Sequence, residues 1–275
     1  MKRRDRRGVA LIFVLWLLVL LGVIVAEVVS QARMESEILS SLRSRTVARY
    51  SAESGILAAT VRIEELLDSA RSLPERITTF RDLSTRLAGL NDVALGSGRF
   101  GVAVVDLNAR IDLNRADAAT LEGLFRQFTT DQRAEHAVAL LKLAPLHRLG
   151  ELTDIEGIDD SLALAVAPYV TVWSDGLVNI NSAPEPVLAA LPGFSGTVAR
   201  SVVRRRDTGE LVLRPDPVPS QAGAIGLAAL AVLPSRLLIV SRGWQDGHPL
   251  THEIQAVYDV LGARLTLLAW QERDL

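Results

Sequence analysis

Cysteine is absent from this sequence of 275 residues. Its absence excludes disulfide bonds, thiolate metal sites and a cysteine nucleophile, and it is compatible with export to an oxidising compartment. Aromatic residues make up only 5% of the chain, and no segment is compositionally simple enough to predict a disordered tail. The chain also lacks a large net charge, because its 30 lysines and arginines nearly balance its 32 acidic residues. This balance argues against a general nucleic-acid coat protein, which would be basic.

Charged and polar residues are missing altogether from residues 9–26, a run of 18 with the sequence VALIFVLWLLVLLGVIVA. A helix of that length covers about 27 Å, close to the hydrocarbon core of about 30 Å. Residues 1–8, MKRRDRRG, carry five basic residues before the run. This asymmetry predicts a single membrane span with a cytoplasmic N-terminus and export of everything that follows.

A cleaved secretory signal is the alternative explanation of this N-terminus. Such signals have an apolar region of about 7–15 residues that ends in a small-residue cleavage site. The apolar run here is longer, no Ala-x-Ala step closes it, and Gly8 lies before the run instead of after it. Cleavage after Gly8 would leave the apolar helix on the mature protein, so we expect a retained membrane anchor.

The helix is predicted to continue beyond the membrane, because no proline occurs before Pro74. Apolar residues recur there at helical spacing, which is typical of an amphipathic helix with one buried face. The spacing predicts one helix from about Val9 to Ala70. Its membrane-proximal half is predicted to pack in a filament or bundle, and a simple stalk is the alternative. The predicted buried stripe consists of Ala52, Ile56, Ala59, Ile63 and Leu66.

Gly8 followed by Val9-Ala10-Leu11-Ile12 resembles the leader of type IV pilins and type II secretion pseudopilins, which a prepilin peptidase cleaves after the glycine. The resemblance implies cleavage between Gly8 and Val9. In most of that family the fifth mature residue is glutamate, whereas here it is Phe13. This departure, the segment ARYSAESGI at 48–56 and the long region beyond the membrane are similar to the K-type minor pseudopilins (general secretion pathway protein K).

The resemblance implies a bacterial inner-membrane protein with a periplasmic main domain, which caps or initiates the tip of the periplasmic pseudopilus and has no enzymatic activity. The implied partners are the I-type and J-type minor pseudopilins, the major pseudopilin and the prepilin peptidase. An intramembrane glutamate is costly unless it is paired, for instance with the N-terminal amine of a neighbouring subunit. A subunit with Phe13 forgoes that pair but still offers its own amine to a subunit below, so we expect it at the tip.

The fold predicted from the sequence is α+β, with a long N-terminal membrane-spanning helix, a pilin-like antiparallel sheet and an inserted helical domain. A strand at 102–105 is expected to pair with 110–114 across a turn, and the final strands are expected at 236–243, 251–260 and 263–271. The proline-rich linker 214–223 is expected to be extended. The predicted boundaries are a leader at 1–8, the transmembrane part at 9–26, the helix continuation and first strands at 27–114, the helical insertion at 115–207, and the linker and C-terminal strands at 208–275.

The insertion contains an internal repeat, in which IDLNRADAATLEGL at 111–124 matches VNINSAPEPVLAAL at 178–191. Each copy alternates residue types up to an asparagine and continues as a leucine-containing helix. Four polar residues follow the predicted strands and are candidates for capping the next helix. They are Asn114 and Asp117 in the first copy, and Asn181 and Ser182 in the second.

DNA binding is the alternative function. Residues 179–206 also resemble the helix-hairpin-helix motif of membrane-anchored competence DNA receptors, in which a glycine turn presents backbone N–H groups to phosphate. Arg204, Arg205 and Arg206 would supply positive charge. Against this, Phe194 lies in the turn, and the other glycine turn, 156–160, is acidic and would repel phosphate. Nucleic acid is therefore not the expected partner.

No cofactor is predicted from the sequence. Residues 96–101 match GxGxxG but precede a strand instead of a helix, so nothing there would hold a pyrophosphate. His248 and His252 have zinc-pair spacing, yet Gly247 and Pro249 predict a turn there, and no third ligand stands out. Hard oxygen ligands for Ca²⁺ are available in one acidic cluster, although a solvated loop is favoured, and the K-type resemblance also implies calcium binding. The cluster consists of Asp154, Glu156, Asp159 and Asp160.

Overall fold

The apolar N-terminal segment forms one continuous helix in the computed structural model, which describes residues 6–214 and 230–275. This helix, α1, runs from Arg6 to Ser69. Among the described residues it is the one helix that is long and apolar enough to cross a membrane. Its residues from Leu11 to Arg43 are all exposed, which corresponds to about 50 Å of helix. The stripe predicted to be buried is at most 9% exposed, so this prediction is confirmed.

The remaining elements follow in chain order. The helices are α2 (Leu73–Arg81), α3 (Leu83–Arg86), α4 (Ala118–Phe125), α5 (Asp131–Leu141), α6 (Asp160–Val166), α7 (Glu185–Ala190) and α8 (Gly196–Asp207). The strands are β1 (Val93–Leu95), β2 (Gly98–Asp106), β3 (Ile111–Asp112), β4 (Val170–Thr171), β5 (Val178–Asn179), β6 (Leu230–Ala231), β7 (Arg236–Gln245), β8 (Thr251–Leu261) and β9 (Arg264–Asp274).

A five-stranded antiparallel sheet with the spatial order β1-β2-β7-β8-β9 packs on the second half of α1. Alternate side chains of the strands point to opposite faces of the sheet. Phe100, Val102, Ile239, Ile254 and Ala256 therefore meet the buried stripe of α1 and form one hydrophobic core. The three C-terminal strands predicted from the sequence are confirmed as β7, β8 and β9.

A second core lies between β2 and β7 in the chain, in residues 107–214 and 230–235, which we call the helical lobe. Helices α4 to α8 lie within the segment predicted as the helical insertion. Their buried faces enclose a core that includes Leu121, Phe125, Val138 and Leu188. Two short parallel strand pairs, β3 with β4 and β5 with β6, cross this core.

The hairpin predicted between 102–105 and 110–114 is wrong. Strand β2 pairs with β1 and β7, whereas β3 pairs in parallel with β4, placing Ile111 beside Val170. The physical reason is a 3-10 turn at Leu107–Ala109, capped by a hydrogen bond from the Asn108 amide to the Asp106 side chain. This turn carries the chain away from the sheet and into the helical lobe.

Two further local features complete the fold. The GxGxxG match begins at the turn of a hairpin, in which Gly96 has φ of 62° and joins β1 to β2. Helix α2 begins with a capping box, because Ser72 accepts from the Glu75 amide and Glu75 accepts from the Ser72 amide. Of the predicted extended linker 214–223, residues 215–223 lie outside the described residues.

Candidate assembly surface

The helical lobe lies at the end of the sheet that faces away from the exposed part of α1. At one end of the sheet, a Cβ on Gly98 would meet the Ser51 and Val47 side chains, so β2 starts beside the membrane-proximal part of the packed helix. At the other end, the Leu265 amide donates to Glu64 at 2.9 Å. Strand β2 ends and β7 begins at this second end. The chain therefore leaves and re-enters the sheet on the side remote from the N-terminus.

The N-terminal site predicted from the sequence lies on the exposed part of α1. Gly8 and Val9 are in helical conformation, and their cleavage stays a prediction. Phe13 lies about one turn further on and is 76% exposed. Its neighbours from Leu11 onward are exposed apolar residues as well. A helix with this surface needs a hydrophobic environment over its first turns.

A second exposed apolar surface continues along the packed half of α1, on the side that faces away from the sheet. Tyr50, Leu57 and Val61 are 62%, 66% and 48% exposed, respectively. Their spacing of seven and four residues places them on one side of the helix. We call these three residues the outer stripe. An exposed apolar stripe on a helix is the kind of surface that packs against a partner helix.

The sheet and the helical lobe are joined at Asn108, which is fully buried. Its side-chain amide donates to Asp175 at 2.7 Å and to the Leu177 carbonyl at 2.9 Å, and its oxygen accepts from the Ser235 and Arg236 amides at 2.9 Å. Asn108 thus joins the segment in which the chain leaves the sheet to the segment in which it returns to the sheet. Sequence reasoning missed this centre, because its partners are distant in the chain and share no local pattern.

The pKa values of two carboxyl groups at this junction are shifted in opposite directions. Burial raises the pKa of Asp106, although Ser182, Asn179 and the Asn108 amide donate hydrogen bonds to it. Burial also opposes ionisation of Asp175, but hydrogen bonds from Ser235, the Leu177 amide and Asn108 outweigh it, so the pKa of Asp175 is lowered. Ser182 is therefore a partner of Asp106, and its predicted role as a helix cap is wrong.

The two copies of the repeat use their asparagines in the same way. Asn114 donates to the Leu146 carbonyl and accepts from the Leu146 amide, at 2.9 and 2.8 Å. Asn181 accepts from the Val212 amide and donates to the Val212 and Val232 carbonyls. The predicted capping role of these asparagines is wrong, because each amide side chain holds a later loop. Asp117 does cap α4, since it accepts from the Thr120 amide at 2.7 Å, and this prediction is confirmed.

The arginines of the DNA-binding alternative do not form one basic surface. Arg206 donates to the Ile180 and Ala183 carbonyls at 2.9 and 2.8 Å. Arg205 is paired with Glu210. Two of the three arginines that phosphate contact would need are thus engaged within the helical lobe, and no observation on the described residues favours this alternative.

The acidic cluster is dispersed over neighbouring turns. Asp159 caps α6 through the Leu162 amide at 2.8 Å and pairs with Arg133 at 2.7 Å. In the part of the chain that the structure describes, no group of three or more histidine or acidic side chains is arranged to hold a metal ion. His252 lies in β8, where its ring nitrogens contact Asp274 and Glu272 at 2.7 and 3.0 Å.

Comparison with known proteins identifies the fold. No protein-family model and no curated protein matches the sequence. The structure does match a chain in the crystal structure of the GspK-GspI-GspJ complex from the type 2 secretion system of enterotoxigenic Escherichia coli. The match has a TM-score of 0.58 and 15% sequence identity, and covers 88% of this chain and 99% of that chain. The chain has the fold of a component of that complex. The predicted α+β architecture is thereby confirmed.

Proposed function

We propose that this chain is a minor pseudopilin of the K type in a bacterial type II secretion system, which caps or initiates the pseudopilus. The observation that carries the proposal is a combination of three features. An exposed apolar helix at the N-terminus continues into the folded part of the chain, which we call the head: the second half of α1, the five-stranded sheet and the helical lobe. The chain has the fold of a component of a pseudopilin complex. The helical lobe forms the end of the head that is remote from the N-terminus.

The position of the helical lobe supports a place at the tip. Pseudopilus subunits would share a core of parallel α1 helices, with each new subunit inserted from the membrane side. The lobe projects beyond the sheet, on the side away from the membrane, where the next subunit above would lie. The lobe would therefore block the subunit above at every position in the pseudopilus except the top one. Phe13 adds to this argument, because it offers no carboxylate to the amine of a subunit above.

The outer stripe is the surface that we assign to the I-type and J-type minor pseudopilins. These partners would lie beside and below the chain, with the major pseudopilin further towards the membrane. The prepilin peptidase would cleave between Gly8 and Val9, leaving the N-terminus at the cytoplasmic face of the inner membrane and the head in the periplasm.

The first test is the mature N-terminus, determined by mass spectrometry of protein from cells with and without a prepilin peptidase. The proposal expects a chain beginning at Val9 only when the peptidase is present. Gly8→Leu is expected to stop processing. Gly22→Leu is the matched control, since a side chain at Gly22 meets no atom within 4 Å. Cleavage after about residue 26 would identify a secretory signal, and an uncut chain would remove the pseudopilin assignment.

The second test is the position of the subunit, probed with a photo-crosslinking amino acid. Placed at Leu57 in the outer stripe, it is expected to form crosslinks to another minor pseudopilin. Placed at Leu164 of the helical lobe, which is 78% exposed, it is expected to form none to pilus subunits. Equal crosslinking of both positions to the major pseudopilin would place the chain in the shaft and contradict the tip assignment.

A further inference from the structure

A cavity of about 620 Å³ lies between the helical lobe and the face of the sheet that is opposite α1. Its floor is formed by Leu238, Gln255 and Gln271 on β7, β8 and β9. Leu238 and Gln255 point away from α1, because their chain neighbours Ile239, Ile254 and Ala256 belong to the core beneath the helix. Gln271 lies directly opposite Gln255 and therefore on the same face. Its walls come from the lobe, at residues 148–151 and 170–173. Volumes of this size are typical of binding sites.

The charged residues that line the cavity are mostly arginines. Arg110, Arg148 and Arg273 face a single acidic residue, Glu151. Arg273 is held by Glu253, with 2.6 Å between Nη2 and Oε1, and Arg148 lies 3.5 Å from Glu151. The remaining lining is largely apolar and includes Trp173. The cavity therefore combines a positive charge with apolar walls.

Arg110 lines this cavity without a hydrogen-bonded acceptor, and it also borders the neighbouring cavity that Asp106 lines. It is partly buried, and in the ranges that the structure describes its guanidinium forms no hydrogen bond or ion pair. Burial lowers the pKa of the Arg110 guanidinium, while the charge of Asp106 acts in the opposite direction. Asp106 already accepts from Asn108, Asn179 and Ser182. A half-buried guanidinium is stabilised by an anion, and its planar fork suits a carboxylate.

We propose that this cavity binds a peptide segment of another protein, which carries a carboxylate next to an apolar side chain. The carboxylate pairs with Arg110, and the apolar side chain packs on Trp173 and Leu238. The Gln255 amide nitrogen donates to Glu253 at 2.7 Å, so Gln255 offers its oxygen as an acceptor for the peptide backbone. Gln271 supplies both a donor and an acceptor. A small inorganic anion would use the guanidinium but leave the apolar walls in contact with water. This inference does not depend on the proposed function, since it rests on the cavity alone.

The test uses the full-length chain in detergent and an array of octapeptides. Each peptide has one central aspartate or glutamate between leucine, valine or phenylalanine residues, and each has a matched peptide with asparagine or glutamine instead. We expect a subset of acidic peptides to bind, and to bind at least tenfold more weakly, by about 1.4 kcal/mol or more, when the acid is replaced by its amide. We expect the same loss for Arg110→Gln, with partial recovery for Arg110→Lys.

Two further variants separate the cavity from general charge. Arg148 lines the same cavity from an exposed position, and Arg148→Gln is expected to weaken binding of the same peptides. This variant tests the cavity even if Arg110→Gln fails to fold. Arg204→Gln removes an exposed arginine of α8 that is not part of this lining, and is expected to change nothing. Equal binding to wild type, Arg110→Gln and Arg148→Gln, or no peptide bound at all, overturns the proposal. Full displacement by millimolar inorganic phosphate also overturns it, in favour of a general anion site.

Discussion

Gly243 of β7 lies directly against the backbone of Ala48 in α1. A Cβ on Gly243 would come within 2.1 Å of the Ala48 carbonyl oxygen and 2.4 Å of the Ala52 amide nitrogen. Both atoms belong to the helix backbone, so neither can rotate aside as a flexible side chain does. Strand-interior glycine is typical of such close backbone approach. The helix can seat on the sheet at this depth only because residue 243 has no side chain.

Gly243→Ala is therefore expected to destabilise the head by about 3 kcal/mol, at the upper end of the usual cost of overpacking. The measurement is urea unfolding of the detergent-solubilised chain, followed by tryptophan fluorescence. Gly89→Ala is the matched control, since a Cβ there meets nothing within 4 Å. A variant at Gly243 as stable as the control would show that the helix does not pack as closely as the structure places it.

Local pattern was sufficient for the elements whose physical cause is local. Helix α1 follows from an uninterrupted apolar run and then a stripe at helical spacing, and Asp117 was recognised as a cap because capping needs only residues three apart in the chain. Strands β7 to β9 follow from short β-branched runs separated by glycine or proline. In each case the deciding contacts lie within one element or between neighbours in the chain.

The pairing of strands across the helical lobe could not be predicted from the local sequence pattern. Ile111 has its partner at Val170, and nothing in the sequence around 111 distinguishes that partner from the nearer strand at 102–105. The roles of Asn114 and Asn181 were missed for the same reason, because an asparagine after a strand suits a helix cap as well as a distant loop. The repeat was visible, but its function depends on what its asparagines meet in the folded chain.

Asn181→Ala is expected to destabilise the helical lobe by roughly 2–3 kcal/mol, because it removes three hydrogen bonds and leaves partly buried backbone groups unpaired. The groups that lose their partner are the Val212 amide and carbonyl and the Val232 carbonyl. Hydrogen exchange of the lobe amides is the measurement. Ser182→Ala, next in the chain, removes one bond to Asp106 and is expected to cost less. Equal protection in Asn181→Ala and wild type would contradict the proposed role.

The stability of the sheet is expected to depend on pH through Glu253. Burial opposes the ionisation of Glu253, but hydrogen bonds from Arg242, Gln255 and Arg273 outweigh it, so its pKa lies below the ordinary value of 4.5. The folded state therefore favours the carboxylate more than the unfolded state does. Its contribution to stability is present above pH 4.5 and is lost as the pH falls through the lowered pKa.

Glu253→Gln is accordingly expected to cost about 2 kcal/mol at pH 7, because charge-assisted hydrogen bonds are lost at a buried position. The difference between variant and wild type should shrink as unfolding is measured at successively lower pH down to about 3, below the ordinary range of glutamate. Glu65→Gln, which breaks an exposed pair with Arg62, is expected to change stability by less than about 0.5 kcal/mol. A pH-independent effect of Glu253→Gln would show that the loss is one of packing instead of charge.

Phe13→Glu tests the position of the chain through its membrane helix. If the chain lies at the tip as proposed, no subunit above it supplies an amine, and the new carboxylate stays unpaired in the hydrocarbon at a cost of about 3 kcal/mol. That cost corresponds to a roughly hundredfold smaller equilibrium constant for assembly. We therefore expect fewer crosslinks from Leu57 to the other minor pseudopilins, and weaker secretion. Phe13→Leu keeps the apolar character and is expected to behave as wild type. Unchanged assembly of Phe13→Glu, with the chain found along the shaft, would mean that a neighbour pairs with the glutamate and that the subunit is not confined to the tip.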